Sequence, residues 1–327
     1  MVTYIERKGL VSLLTPCYNG EKFIQRLLDS VLSQDYPDIE MVVVDDGSTD
    51  RTAGLVNSYI QRFQKRGYSL RCISKSNGGQ ASAINVGLPL LQGEFIAWPD
   101  SDDYYSSPHS VSSFVSGFKQ SDDSVGIVRS NGINLDDLTG KIIKPDDINS
   151  YHEGYVFEDL LCGTYPLTPI SYMVRASSLD KAIENRHIYN GQHPQNIQLF
   201  APISYLFKVK NITPGLVTIV IRQDSDSHSD KNIEDQLSTV DSWIDIFNHT
   251  IDSMNMISED KRKDYKAIIQ SNYWNGKLAL CLNQCDVKHA KSIVGIMSRT
   301  NITVHWKKRV KLFLLQYCPY TLRLIHK

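Results

Sequence analysis

The sequence lacks several features that would place a protein in a specialised class. No window approaches the roughly 18 consecutive apolar residues that a membrane-spanning helix needs, and the apolar runs are as short as LVTIVI at 216–221. The six cysteines include no C-x-x-C pair, and the first residues show no charged-then-apolar signal segment. We therefore expect a reduced, cytoplasmic protein without a transmembrane segment.

Basic charge is not in excess either. The formal net charge is -1, whereas a nucleic-acid-binding surface needs surplus Lys and Arg to displace counterions from phosphates. This excludes bulk nucleic-acid binding, and we expect no nucleic-acid partner. With 327 residues, 41% of them hydrophobic, the chain is long enough for one large domain or two modest ones.

Short β-rich runs alternate with helical patterns in the first hundred residues. The Val-rich run IEMVVVDD is typical of a strand buried on both faces of a parallel sheet. Four such runs joined by helical crossovers predict an α/β fold with a doubly wound, mainly parallel sheet. The strands are predicted at 10–16, 39–46, 70–76 and 93–100, and the first helix at Ile24, Leu27, Leu28 and Val31, which share one face.

A polar cluster follows each predicted strand: TPCYNG, DDGST, SKSNGG and PDSDD. Ligands of such sheets lie beyond the carboxyl ends of the strands. The last cluster places Asp100, Asp102 and Asp103 within four positions, so a positive group should lie nearby. An Asp-x-Asp pair can turn both carboxylates toward one cavity, and Mg²⁺ or Mn²⁺ prefers oxygen ligands, with substrate phosphates and water completing the shell. The alternative is a solvated turn that caps a helix.

These ordered motifs resemble the donor half of a family 2 glycosyltransferase with the GT-A fold. The resemblance is dense over about residues 9–110 and thinner to about 230. It implies a GT-A domain at 1–232, with its acceptor half at about 111–232. From about residue 233 helical patterns replace the β-rich runs, which indicates a helical C-terminal extension at 233–327.

The resemblance implies a UDP-sugar donor and a divalent ion, Mn²⁺ or Mg²⁺. It gives Asp46 the role of accepting a hydrogen bond from the uracil ring N–H, for which a carboxylate is suitable. It places Asp100 near the ribose and makes Asp102 the metal ligand, with Asp103 supporting the loop. Asn77 matches a nucleotide contact. The turn that packs on nucleobase and ribose is matched by Thr15, Pro16 and Tyr18.

A later segment, VIRQDSDSHSD at 220–230, resembles the family's loop over the donor diphosphate. Arg222 could form bidentate bonds to phosphate oxygens, and His228 could bind the metal or a phosphate. The acids Asp224 and Asp226 would repel the same phosphates unless they are turned away. A polar surface loop is the alternative.

The general base is the point where the sequence departs from the family. Inversion at the anomeric carbon requires a base, and the resemblance implies an acidic pair at the start of a helix. Gln195 and Asn196 stand there instead, and an amide cannot take up a proton. Three explanations stay open: His193 is the base, the amides of Gln195 and Asn196 orient the acceptor while a carboxylate elsewhere is the base, or catalysis is lost. The carboxylates in question are Glu153, Glu158 and Asp159.

Two further features concern the acceptor side and the C-terminus. Tyr165 and Tyr172 stand where the family builds its acceptor wall, and they could stack on sugar rings or simply pack. The stretch 304–325 predicts a basic amphipathic helix. It could pack on the helical extension, form a homo-oligomer, or lie peripherally on an anionic membrane that carries a lipid-linked acceptor.

The sequence thus predicts a metal-dependent, inverting glycosyltransferase that moves a sugar from a UDP-sugar to a hydroxyl of a glycan, lipid-linked or glycoprotein acceptor. The resemblance places it in the synthesis of bacterial surface polysaccharide or glycoprotein glycan, in the cytoplasm or at the inner membrane face. The alternatives are a non-catalytic scaffold subunit and a sugar-phosphate nucleotidyltransferase, although no Gly-rich basic loop follows the first strand. A dinucleotide-dependent oxidoreductase would need a glycine fingerprint that TPCYNG lacks.

Overall fold

A computed structural model describes residues 6–143, 151–165, 167–191, 195–222 and 232–317 of the chain. It divides into two compact units. The sheet unit comprises residues 1–160 and 165–229, and the helical unit comprises residues 161–164 and 230–327. We describe each unit separately.

The secondary structure follows the alternation expected from the sequence and continues it. The strands are β1 Arg7–Cys17, β2 Ile39–Asp45, β3 Ser69–Ser74, β4 Gly93–Ala97, β5 Tyr104–Tyr105, β6 Val125–Asp136, β7 Ile142–Ile143, β8 Tyr172–Arg175 and β9 Lys208–Ile221. The helices before residue 230 are α1 Ile24–Leu32, α2 Thr52–Arg66, α3 Gln80–Gly87, α4 Ser110–Lys119, α5 Phe157–Leu161, α6 Ala176–Ala182 and α7 Asn196–Leu206. Those after it are α8 Ile233–Ser253, α9 Glu259–Asn283, α10 Val287–Arg299 and α11 Trp306–Tyr317.

The first four long strands form the parallel part of the sheet, in the order β3-β2-β1-β4. All seven residues of β2 are buried, as its continuous apolar run predicts. The predicted apolar face of α1, from Ile24 to Val31, is also buried. The prediction of an α/β sheet with helical crossovers is therefore confirmed for this region.

Beyond β4 the sheet is mixed. β8 pairs antiparallel with both β4 and β6, β9 runs parallel to β6, and the short β5 pairs antiparallel with β9. β8 has only four residues, three of them buried, and it carries no periodic signal long enough to reveal its direction. Parallel pairing thus prevails in the first half of the sheet, as the sequence predicts, whereas the second half combines the parallel β6–β9 pair with antiparallel pairs.

The helical unit has its own apolar core. Three of its helices begin with a hydrogen-bonded cap: the side chains of Asn232, Ser258 and Asp286 each accept a bond from the backbone N–H three residues later. None of the helices in the described residues is long and apolar enough to cross a membrane. The buried core residues are Leu278, Cys281, Leu282, Ala290, Ile293, Met297, Val304 and Leu315.

Candidate active site

The strand register brings three of the polar clusters to one edge of the sheet. Cys17 at the end of β1 pairs with Asp45 at the end of β2, and Asp45 pairs with Ser74 at the end of β3. β4 lies on the other side of β1 in the same direction, so the Asp100–Asp103 loop that follows it emerges at the same edge. This is the edge at which parallel sheets bind ligands.

Asp46 lies buried at this edge and is surrounded by hydrogen-bond donors. Lys75 Nζ lies 2.6 Å from Asp46 Oδ1, and the backbone N–H of Gly79 donates to Oδ2 at 2.7 Å. The N–H of Gly78 donates to both oxygens, at 3.1 and 3.2 Å. A carboxylate offers roughly four acceptor positions, and these four contacts engage them, two through the single N–H of Gly78. Asp46 therefore holds the glycine loop in place, and a ligand N–H could replace one of the two longer Gly78 contacts.

The glycines of these loops permit a close approach of two backbones. Gly47 has a φ of +77°, and a Cβ added there would lie 2.6 Å from the backbone nitrogen of Asn77. Asn77 itself is exposed at the mouth of the site. The second and third polar clusters are thus packed backbone to backbone, which only glycine allows.

The first cluster presents one aromatic side chain to solvent. Tyr18 is 53% exposed, whereas Thr15 is buried. Asn19 links this cluster to the second one, because its Oδ1 accepts from the backbone N–H of Thr49 at 2.9 Å and its own N–H donates to Ser48 Oγ at 2.9 Å. The exposed ring of Tyr18 can therefore stack on a ligand, whereas the buried Thr15 hydroxyl is not positioned to hydrogen-bond one.

The positive group expected beside the three carboxylates is Arg222. Its Nη2 lies 2.8 Å and its Nε 3.0 Å from Asp102 Oδ2, and its guanidinium stacks over the ring of Phe23 at 4.0 Å. Asp102 follows β4 and Arg222 follows β9, so two residues predicted separately for metal and diphosphate lie together.

The two neighbouring acids are held inside the loop. The backbone N–H of Val220 donates to Asp103 Oδ1 at 2.9 Å, and burial, with the nearby Asp102 and Asp100, raises the pKa of Asp103 well above its usual range. Gln80 Nε2 donates to Asp100 Oδ1 at 3.0 Å. Desolvation, and then the charge of Asp102, raises the pKa of Asp100 to about 7. Asp103 thus supports the loop, and Asp102 is the acid at the mouth of the site.

The arrangement fits a divalent ion that is held by few protein ligands, with a bound phosphate and water supplying the others. The described residues contain no group of three or more His, Cys, Asp or Glu side chains arranged around one point. Both Arg222 contacts use Oδ2 of Asp102, and a single carboxylate is a common protein contribution to Mg²⁺ bound with phosphates. His228, the second predicted metal ligand, lies outside the described residues.

The amide pair at the start of α7 divides into one structural and one accessible member. Gln195 is buried; its Nε2 donates to the carbonyl of Gly191 at 2.8 Å, and its Oε1 accepts from Gln198 Nε2 at 2.9 Å. Gln198 in turn bonds both backbone groups of Tyr189. Asn196 is the first residue of α7 and is half-buried. Gln195 therefore fixes the loop before the helix, and Asn196 is the member that can reach a ligand.

Two of the other residues considered as general base have partners of their own. Glu153 accepts a bond from the backbone N–H of Asn211 at 2.7 Å, which ties it to β9. Asp159 lies 3.0 Å from His152 Nε2. Glu158 is exposed on α5, and His193 lies outside the described residues. The structure therefore gives Glu153 a structural contact and brings none of these acids to the Asp102 loop among the contacts described.

The two tyrosines of the expected acceptor wall are packed. Tyr172 is buried with its ring 4.7 Å from that of Phe200 and 5.4 Å from that of Trp98, and Tyr165 is buried 6.0 Å from Phe200. Their rings contribute to the core between β8 and α7 instead of presenting a face to a sugar.

Comparison with known proteins identifies the fold and family of this region. Residues 12–166 match the model of the family named Glycosyl transferase family 2. This segment is a family 2 glycosyltransferase domain. It is 42% identical over 98 residues to the uncharacterized glycosyltransferase EpsJ of Bacillus subtilis, an alignment that covers 30% of this chain and 27% of EpsJ. The chain therefore spans little more than a quarter of that relative's length.

Two solved structures show that the glycosyltransferase domain has the GT-A fold. One is TarS 1-349 of S. aureus in complex with UDP-GlcNAc, with a TM-score of 0.60 and 22% identity over 81% of this chain and 72% of that chain. The other is a mannosyltransferase, PcManGT from Pyrobaculum calidifontis, in complex with GDP-Man and Mn2+, with a TM-score of 0.52 and 17% identity over 96% of this chain and 85% of that chain. At these identities the likeness concerns the fold.

Several residues with defined contacts in the sheet unit escaped the sequence analysis. Lys75 is the only cation in the four polar clusters, and that position could have marked it as the partner of Asp46. Gln80 follows the glycine pair directly, and Gln198 repeats the amides of α7 at helical spacing. Arg129 gave no signal, yet it is buried with its guanidinium over the rings of Tyr151 and Tyr165, at 4.9 and 5.6 Å.

Proposed function

We propose that the protein is an inverting glycosyltransferase that uses a UDP-sugar and a divalent ion to glycosylate a hydroxyl of a glycan acceptor. The observation that carries the proposal is the joint position of Asp102, Arg222 and Asp46 at the ligand-binding edge of a GT-A sheet. The complexes of TarS with UDP-GlcNAc and of PcManGT with GDP-Man and Mn2+ support a nucleotide-sugar donor with metal.

On the donor side, each residue has a chemical task that its contacts allow. Asp46 accepts the uracil N–H in place of one of its two longer contacts from Gly78. Tyr18 offers its exposed ring to the nucleobase, while Asn77 lies at the mouth beside it. Asp100 takes the ribose hydroxyls, which a carboxyl group can bond in either protonation state.

On the diphosphate side, the negative charge of Asp102 is balanced by the positive charge of Arg222. Asp102 would hold the divalent ion through its carboxylate, and the ion supplies positive charge to the departing diphosphate. Arg222 lies beside Asp102, and its guanidinium N–H groups match phosphate oxygens in geometry. Some of these N–H groups can therefore bond the diphosphate of the sugar donor instead of Asp102. Phe23 keeps the guanidinium in place during that exchange.

The ligand-side test of the Asp46 assignment avoids disturbing the fold. UDP methylated at N3 of the uracil lacks the N–H that Asp46 would bond, and we expect it to bind at least about tenfold more weakly than UDP, because that hydrogen bond is lost and the methyl group would lie against the buried carboxylate. Equal binding of the two nucleotides by calorimetry would remove Asp46 from nucleobase recognition.

The whole proposal is tested by releasing nucleoside diphosphate from a panel of UDP- and GDP-sugars, with Mn²⁺ and with a chelator. We expect one UDP-sugar to be turned over only with metal, and Asp102→Asn to abolish that turnover. The matched control is Asp38→Asn, because Asp38 also pairs with an arginine, Arg7 at 3.2 Å, but lies at the opposite end of β2. Metal-dependent turnover that survives in the Asp102 variant would contradict the assignment.

A second candidate function is a non-catalytic subunit that binds nucleotide sugar or glycan. The observation in its favour is the absence of a carboxylate at Gln195 and Asn196. Tight UDP binding with no release from any donor, even with a panel of glycan acceptors, would favour this alternative. Turnover with any acceptor would exclude it.

A further inference from the structure

Helix α11 of the helical unit exposes a stripe of large apolar side chains. Trp306, Val310, Phe313 and Tyr317 are each between 48% and 64% exposed. Their spacing of four, three and four residues places them on one face of the helix. The rings of Phe313 and Tyr317 lie 4.9 Å apart, so the stripe is continuous.

The opposite face fixes the orientation of this helix within its unit. Leu315 is buried in the apolar core of the helical unit. Lys308 Nζ donates to the backbone carbonyl of Asn275 at 2.7 Å, and Lys311 Nζ donates to Asn283 Oδ1 at 2.8 Å. These contacts on α9 leave the apolar stripe directed away from the core, where no described residue covers it.

Positive charge surrounds the stripe. Lys307 and Arg309 are exposed; at about 100° per residue they lie on opposite sides of Trp306 around the helix axis. The chain as a whole has a formal charge of -1, yet residues 287–317 contain basic residues and no acidic one. These basic residues are Lys288, Lys291, Arg299, Lys307, Lys308, Arg309 and Lys311.

We propose that this face of α11 docks on an anionic lipid membrane. Trp and Tyr prefer the headgroup level of a bilayer, while Phe313 and Val310 can enter the acyl boundary, as the apolar face of an interfacial helix does. Lys307 and Arg309 would lie against lipid phosphates, where each basic residue adds attraction. The apolar stripe thus matches the acyl chains of an anionic membrane, and the cations on both sides of it match the lipid phosphates.

Charge argues against a second copy of the chain as the occupant. A two-fold dimer through the stripe would place the same patch of both copies face to face. Lys307 and Arg309 of one copy would then approach those of the other, without acids from this region to separate them. A lipid surface meets the same cations with phosphates.

The test is flotation of the full chain with vesicles of equimolar phosphatidylcholine and phosphatidylglycerol, compared with pure phosphatidylcholine. We expect binding to the anionic vesicles that weakens with salt, since the attraction of surface charges is screened. The double variant Trp306→Ala, Phe313→Ala should bind at least about tenfold more weakly, because it removes most of the apolar area that enters the bilayer. Its matched control is Leu138→Ala, Ile142→Ala, which removes two exposed apolar side chains from the sheet unit and should bind like the parent.

Several outcomes would overturn the proposal. One is a parent protein that does not float with the anionic vesicles; another is a Trp306, Phe313 variant that floats as well as the parent. Sedimentation without lipid provides a third: a dimer that the same variant converts to monomer would assign the stripe to self-association. Circular dichroism verifies that the variants keep their helices, and none of these measurements depends on glycosyl transfer.

Discussion

The substitution Asp46→Asn tests whether the buried carboxylate organises the donor loops. In the native site its two oxygens accept from Lys75 Nζ, Gly78 N–H and Gly79 N–H. An asparagine has one oxygen, and its amino group would face one of these donors. Hydrogen bonds to charged groups contribute about 1.5–3 kcal/mol each, and breaking a buried ion pair costs about 3–5 kcal/mol. We therefore expect the free energy of unfolding of the sheet unit to fall by about 3 kcal/mol.

The assay is urea unfolding followed by Trp98, which is buried in the sheet unit, with Trp243, Trp274 and Trp306 replaced by Phe. For a slope of about 2–3 kcal/mol per molar urea, the midpoint should fall by about 1 M. Lys75→Met should destabilise by a smaller amount, about 2 kcal/mol, because the two backbone donors remain. The double variant should lose less than the sum of the two single losses, as coupled residues do.

The reasoning is refuted if Asp46→Asn changes the free energy of unfolding by less than about 1 kcal/mol. The surface variant Asp38→Asn is the control, and exposed ion pairs of its kind contribute about 0–1 kcal/mol. Additive losses for Asp46→Asn and Lys75→Met would show that the two side chains do not act on one another.

Three further predictions address backbone, metal and base. Gly47→Ala should lower the free energy of unfolding by about 1–2 kcal/mol more than Gly67→Ala. Both glycines have positive φ, but only at Gly47 would an added Cβ meet backbone, at 2.6 Å from Asn77 N. Equal losses in urea unfolding would refute the steric argument. Asp102→Asn should weaken the binding of Mn²⁺ in the presence of UDP at least about tenfold, as measured by electron paramagnetic resonance. Unchanged binding would show that other residues hold the ion. Asn196→Asp should raise turnover at least about tenfold if a general base is missing there, whereas an unchanged rate would indicate that the base lies elsewhere.

The sequence predicted the parts of the fold that depend on local periodicity. The buried strand β2 and the apolar face of α1 are continuous patterns that tertiary structure has no reason to override. The short strands β5, β7 and β8 have two to four residues, too few for an alternation, and the partners of β5 and β8 lie far along the chain. Their antiparallel pairing could not be foreseen.

The sequence suggested candidate site residues but did not indicate which of them contact one another. The family resemblance pointed to Asp46, Asp102 and Arg222, but ion pairs join residues that no motif connects, 120 positions apart in the case of Asp102 and Arg222. Tyr165 and Tyr172 illustrate the reverse difficulty: an aromatic residue in a strand-like run looks the same whether it stacks on a ligand or packs in the core.

The pairing of Asp102 with Arg222 has a consequence for biosynthesis. Three carboxylates are translated by residue 103, and the arginine that opposes them is added only after the strand β9 has been made. A nascent chain ending in the interval holds mutually repelling acids beside an already formed parallel sheet, because N-terminal segments fold first during synthesis. Completion of β9 should therefore be the event that closes this loop, and a ribosome-bound chain arrested before residue 222 should leave it open to proteolysis.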